Sequence, residues 1–240
     1  MKASVFIPCS VDQFGAQTGF NLIELLTRVG VEVDYPLEQT CCGKIAYYEG
    51  DKDTAKQLGE MFMNNFSAAD YIVGCSSSCT SYMKRYFGKL YYNSAYHNTY
   101  SNYVNRIFDV TEFLVHVVKK LELGAKFPHT VAFVDDGSSF NDCGLYLEPR
   151  LLLQKVEGLK LVKLNSENVS CGFGESFASI FEPVSTHLAK IKIQEAIDKG
   201  AEYITSTDMG CLLHLQSYIN KAKLPIKCKH IVDILASNEQ

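Results

Sequence analysis

The chain has little that would direct it to a membrane, a nucleic acid or a nucleotide cofactor. Its apolar stretches, such as Phe113-Leu114-Val115-His116-Val117-Val118, fall far short of the roughly 20 residues that a membrane-spanning helix requires. The opening Met1-Lys2-Ala3-Ser4-Val5-Phe6-Ile7-Pro8-Cys9 lacks the long apolar core of a signal peptide and reads as a first β-strand. The 23 basic residues are dispersed among 27 acidic ones, so no positive face is set out for nucleic acid. No glycine-rich dinucleotide fingerprint is present, nor any flavin signal. Arginine is scarce (Arg28, Arg85, Arg106 and Arg150), and none lies in a cysteine loop. These absences predict a cytoplasmic protein with no membrane span and no nucleic-acid partner.

Cysteine is not scarce. There are nine, an odd number that rules out complete pairing within the chain. At 240 residues the chain buries roughly 70% of its unfolded surface and needs no covalent staples. Cys41-Cys42-Gly43 is the most telling element. Adjacent cysteines close only a small strained disulfide ring, whereas two neighbouring thiolates can both reach one metal centre. Cys9 lies upstream of the pair, and Cys75 and Cys79 lie downstream, so five cysteines occupy three short segments of the first third. Cys228, beside Pro225-Ile226, reads as a small buried hydrophobe.

Strand and helix signals alternate along the chain. Ser4 to Pro8, Val31 to Tyr35 and Tyr71 to Val73 predict strands; Phe20, Ile23 and Leu26, then Leu58, Met61, Phe62 and Phe66, recur at helical spacing. A further helix is predicted over Tyr82 to Tyr91. Tyr91 to Tyr103, rich in Tyr, Asn and Ser, reads as an irregular connection with aromatic anchors. Asp109-Val110-Thr111-Glu112 has capping-box spacing. The alternation then restarts: strand from Thr130 to Val134, helix from Pro149 through Val156, strand from Leu159 to Leu164, helix from Pro183 to Lys199, and strand at Tyr203-Ile204-Thr205. The predicted fold is α/β, with two tandem Rossmann-like halves, residues 1–122 and 123–240, each a small parallel sheet flanked by helices.

The halves form an internal repeat. Val5 to Ser10 aligns with Phe133 to Ser138, Thr40-Cys41-Cys42-Gly43 with Val169-Ser170-Cys171-Gly172, and Ser78-Cys79-Thr80 with Gly210-Cys211-Leu212. The repeated landmarks follow three successive strands, at the carboxyl ends where doubly wound sheets place their ligands. Three loops can thus deliver Cys9, Cys41, Cys42 and Cys79 to one centre. Four thiolates suit either an iron–sulfur cluster or a zinc ion, and only the first moves electrons. Cys75 is open to three readings: a fifth ligand, a resolving thiol for thiol–disulfide chemistry with Cys79, or a packed bystander. In the second half Gly137 and Ser170 stand where Cys9 and Cys41 would be. Cys143, Cys171, Cys211 and His214 are candidates for a second site there, against a metal-free half with His214 turned to solvent or core.

The order Cys9, Cys41-Cys42-Gly43, Cys79, repeated as Ser170-Cys171-Gly172-Phe173-Gly174 and Asp208-Met209-Gly210-Cys211-Leu212-Leu213, resembles the cysteine-rich, CCG-motif family. That family includes the B subunit of heterodisulfide reductase and cysteine-rich parts of glycolate oxidase. The two-domain size and the Cys-Gly-Phe-Gly segment are most similar to its lactate-utilisation protein A branch. The resemblance implies an iron–sulfur cluster of the 4Fe-4S kind in the first half, ligated by Cys9, Cys41, Cys42 and Cys79. It also implies L-lactate oxidation to pyruvate together with other subunits, one of them a ferredoxin-type iron–sulfur protein. The family would carry cysteine at 137 and 170, and the chain departs from it there. A structural zinc in an assembly subunit, and a thiol–disulfide redox protein like heterodisulfide reductase, are the alternatives. Lys44, Lys84 and Arg85 are the basic residues nearest the cysteine loops and read as solvated charges.

Overall fold

The computed structural model describes residues 1–135, 137–167, 169–174 and 176–239, with the backbone alone at 138, 139 and 142. β1 (Lys2–Phe6), β2 (Glu32–Asp34), β3 (Ile72–Gly74) and β4 (Ile107–Asp109) form one sheet in the order β2-β1-β3-β4. β5 (Thr130–Phe133), β6 (Lys160–Val162), β7 (Tyr203–Thr205) and β8 (Lys227–Cys228) form a second in the order β6-β5-β7-β8. Every pairing among these strands is parallel. Parallel strands need crossover helices, and those helices cover both faces of each sheet. The central strands are accordingly largely buried, with Ala3, Val5, Phe6, Ile72 and Val73 fully so in the first sheet. The α/β class and the two tandem halves are as the sequence predicts.

Among the described residues, three apolar clusters hold the molecule. One belongs to the first half and is built on Phe6, Phe62, Phe66, Phe87, Tyr91 and Tyr103. A second belongs to the second half, around Val134, Ile193, Ile204 and Leu215. The third runs across both, uniting Leu22, Leu25, Val73 and Phe113 with Val131, Leu152, Ile231 and Leu235. Hydrogen bonds reinforce that junction: Thr18 Oγ1 and Asn21 Nδ2 donate to the two oxygens of Asp233 at 2.9 and 2.8 Å.

Several local expectations are corrected. The helix Ala16–Arg28 buries Leu22, Leu25 and Leu26, while Phe20 is 66% exposed. The predicted stripe was rotated because Leu22 and Leu25 define the core face. Met61 likewise lies outside the buried face of the helix Lys52–Asn65. The segment read as irregular contains a helix, His97–Val104, anchored by Tyr100 and Tyr103, whose hydroxyls donate to the Lys84 and Met63 carbonyls. The helix predicted from Tyr82 begins earlier, at Ser77, so its first turn carries Cys79. Asp109 does cap a helix, accepting from the Thr111 amide, but Glu112 turns away to Lys84 instead of closing the box. The chain then continues as a π-helix, Phe113–Val118, ended by Lys119 in the left-handed region at φ +57°.

Candidate metal centre

The Cys41-Cys42-Gly43 turn owes its shape to Gly43, at φ +83°, a conformation that L side chains rarely adopt. The turn brings the Gly43 amide to the Cys41 Sγ, to which it donates at 3.4 Å, and leads into the helix Lys44–Tyr48. The repeat is visible in atomic detail in the other half. Gly172, at φ +89°, donates its amide to Ser170 Oγ at 3.1 Å. The serine hydroxyl does in the second half what the sulfur does in the first, so the turn survives there without the thiol.

Cys9 stands just after β1, at the start of the helix Cys9–Phe14, and its thiol lies 3.9 Å from Cys41 Sγ. Cys79 lies in the first turn of the helix Ser77–Leu90, whose N-terminal amides favour negative charge. The four sulfurs are linked pairwise: Cys9 to Cys41, Cys41 to Cys42, and Cys42 to Cys79. Their protonation is split accordingly. Hydrogen bonds from the Cys42 and Cys9 thiols hold Cys41 well below the usual thiol range, aided by the Gly43 amide and Lys44. The Cys42 thiol and Lys44 also lower Cys79, against the cost of its burial. Cys9 and Cys42, donors to those thiolates, are pushed up, first by these hydrogen bonds and then by burial.

All four cysteines line one cavity of about 340 Å³ between the halves. Lys44 is in its wall, buried, with Nζ donating to Ser78 Oγ at 2.6 Å. Ser78 Oγ in turn donates to Asp208 Oδ2 at 2.5 Å, and Ser76 Oγ donates to the same oxygen at 2.7 Å. Asp208 Oδ1 accepts the Cys211 amide at 3.0 Å, capping the helix Met209–Ala222. The nearby Lys44 charge, together with the two serine hydroxyls, keeps this buried carboxylate ionised despite the cost of desolvation. Phe173, Gly210 and Leu213 complete the wall from the second half.

Sequence reasoning gave Ser76, Ser78 and Asp208 no role and took Lys44 for a surface charge. The signal available was the repeat itself, which sets Ser76 against Asp208 and Lys44 against Phe173. Of the other basic candidates, Lys84 is paired with Glu112 at 2.8 Å and Arg85 is exposed.

The remaining cysteines lie elsewhere. Cys75 is fully buried in the core shared by the two halves, and desolvation raises its thiol well above the ordinary range. Cys171 and Cys211 are buried in the second-half core. Cys143 is exposed and faces a separate small cavity beside Lys84, Asp109 and Glu148. His214 packs near the Phe173 ring, with Nε2 3.1 Å from Ser185 Oγ. Because that hydroxyl donates to the Gly172 carbonyl at 2.7 Å, the imidazole is the donor to it. Of the four second-half candidates, Cys171 and Cys211 thus share one core, while Cys143 lies at a separate cavity and His214 is engaged with Ser185. Cys228 sits in β8 against the second-half core, and burial pushes its thiol up to about 12. Among the described residues no group of three or more His, Cys, Asp or Glu side chains is drawn in as a single metal ion requires. No helix among them is long and apolar enough to cross a membrane.

Two parallel α/β halves with cysteine loops at the carboxyl ends of their strands define a cysteine-rich, doubly wound protein. The family pattern for the cysteine-rich domain (CCG) matches residues 3–84 and 138–216, once in each half. Lactate utilization protein A of Geobacillus thermodenitrificans is 32% identical over 98% of both chains. The protein of the same name from Oceanobacillus iheyensis is 32% identical over 100% of this chain and 98% of its own. The chain belongs to the cysteine-rich (CCG) domain family. In fold alone it is similar to a hypothetical protein from Helicobacter pylori, with a TM-score of 0.64 at 10% identity; the match covers 100% of this chain and 49% of that one.

Proposed function

We propose that the chain is an iron–sulfur subunit of a system that oxidises L-lactate to pyruvate, with the cluster held by Cys9, Cys41, Cys42 and Cys79. The observation that carries this reading is the convergence of these four sulfurs, from three loops of the first half, on one cavity wall. A set of four linked soft donors, two already favouring the thiolate form, suits an iron–sulfur centre. The kinship with proteins named for lactate utilization supports the substrate.

Such a centre, when bound, would accept and pass on single electrons. The chain's own residues prepare its place. Gly43 bends the backbone so that neighbouring thiols reach one cavity, the Ser77–Leu90 helix favours charge at Cys79, and Lys44 offsets part of the negative charge of the thiolates. With no nucleotide fingerprint in the chain, electrons would leave to partner subunits, a ferredoxin-type protein among them. Cys171 and Cys211 take no part, because neither is among the residues that line this cavity.

Anaerobic purification followed by iron, acid-labile sulfide and zinc analysis tests this. Several irons and matching sulfide per chain are expected; a colourless chain with one tightly held zinc would refute it.

A further inference from the structure

Both halves line the cavity, and the internal repeat relates the positions they contribute. All four sulfurs come from the first half, as do Lys44, Ser76 and Ser78. The second half contributes no sulfur to the lining; it supplies Phe173, Asp208, Gly210 and Leu213. By the repeat, Phe173 holds the place of Lys44, and Gly210 that of Ser78. The two pairs are packed alike. Lys44 Nζ meets Ser78, and the Phe173 ring lies so close to Gly210 that a Cβ there would come within 2.5 Å of Cε1. A polar, cationic pair on one side thus faces an aromatic, side-chain-free pair on the other.

On the strength of the lactate reading above, we infer that this cavity also binds the organic substrate on this subunit, as a short 2-hydroxy carboxylate. Lys44 takes its carboxylate, and Phe173 with Leu213 packs against its alkyl end. A buried ammonium is the group that a carboxylate needs once it leaves water. Lys44 is buried, lines the cavity and is held in position by Ser78. Asp208 sits behind that serine and fixes the hydroxyl's direction, since Ser78 donates to it and so offers its lone pairs to the ammonium. Phe173 limits length. Its ring leans over Gly210 because that position has no side chain. The cavity volume lies at the low end for organic ligands, which suits a three-carbon acid beside a cluster. The degenerate half has lost thiols and supplies the substrate-facing wall.

The test uses the anaerobically purified full chain, with L-lactate and pyruvate titrated by ligand-observed NMR, and the KM for L-lactate of the reconstituted subunits. Lys44→Met should weaken binding and raise KM by about tenfold or more, with Lys44→Arg recovering part of it. Phe173→Ala should shift preference from L-lactate toward 2-hydroxybutyrate and 2-hydroxyvalerate. Iron and sulfide content and melting temperature of Phe173→Ala should match the parent chain, and KM for Lys44→Met and Lys44→Arg is compared per cluster bound, which separates substrate contact from a loss of folding or of cluster. An unchanged KM in Lys44→Met and an unchanged chain-length preference in Phe173→Ala, in a complex that does oxidise lactate, would overturn this inference alone. A parent complex that carries iron and sulfide but does not act on lactate would overturn the lactate reading and this inference together.

Discussion

Asp208 and Ser78 come from different halves of the chain, yet their side chains meet at 2.5 Å beside the cysteine cavity. The carboxylate gathers Ser76, Ser78 and the Cys211 amide, so one residue ties the first half's loop to the second half's helix. Replacing it with alanine leaves three buried donors without an acceptor and the Lys44 charge without its compensating neighbour. Asp208→Ala is expected to cost about 3 kcal/mol or more in urea denaturation, and Asp208→Asn less, because the amide oxygen still accepts.

Cysteine substitutions should divide by half. Cys42→Ser is expected to abolish iron and sulfide binding, whereas Cys171→Ser and Cys211→Ser should leave both contents unchanged. Equal losses from the two sets would contradict an asymmetric site.

Stability should depend on pH through Asp109. It is buried, and desolvation raises its carboxyl from 3.8 to about 7, partly opposed by the hydrogen bonds from Thr111. Its second oxygen, Oδ2, has no hydrogen-bond partner. Between these two values the folded chain binds a proton that the unfolded chain has released, so this contribution falls as pH rises through the window. The full effect is roughly 4 kcal/mol from below pH 4 to above pH 7. Lys84 and Glu112 flank the site. Asp109→Asn keeps a cap for Thr111 and should flatten the dependence, as read from urea midpoints at a series of pH values.

The two turn glycines should differ in cost from a glycine in open space. A Cβ on Gly172 would lie 2.5 Å from the Ser185 carbonyl oxygen, and one on Gly43 would lie 3.2 Å from that of Ala55. Gly30 has the same left-handed backbone, at φ +87°, but nothing within 4 Å. Gly30→Ala is therefore expected to cost about 1 kcal/mol, from backbone strain alone. Gly43→Ala should cost more and Gly172→Ala most, ranked by melting temperature.

The sheet-forming runs were legible because buried parallel strands read as plain apolar stretches, and Tyr203-Ile204-Thr205 matches β7 residue for residue. β4 and β8 were not, because Ile107-Phe108-Asp109 runs straight into a helix cap and Lys227-Cys228 is only two residues long. Their places are fixed by neighbours distant in sequence. The cysteine quartet could be read as a group because its chemistry is written in residue type and its position in the repeat. Lys44 could not. A lysine after a turn reads as solvated, and this one is buried only because Ser78, 34 positions on, and Asp208, from the other half, close over it. Phe20 and Met61 show the converse, apolar residues at helical spacing that the final packing leaves outside.

The pairing of strands has a consequence for the order of assembly. Each ladder joins β-strands of the same half, so either sheet can zip up without waiting for the other. The sulfur row is complete as soon as residues 9 to 79 have folded. The crevice is not, for its far side arrives only when the later-synthesised half docks and the shared core closes around Leu22 and Ile231. The sulfur row is thus an early property of the nascent chain, and its enclosure is a late one.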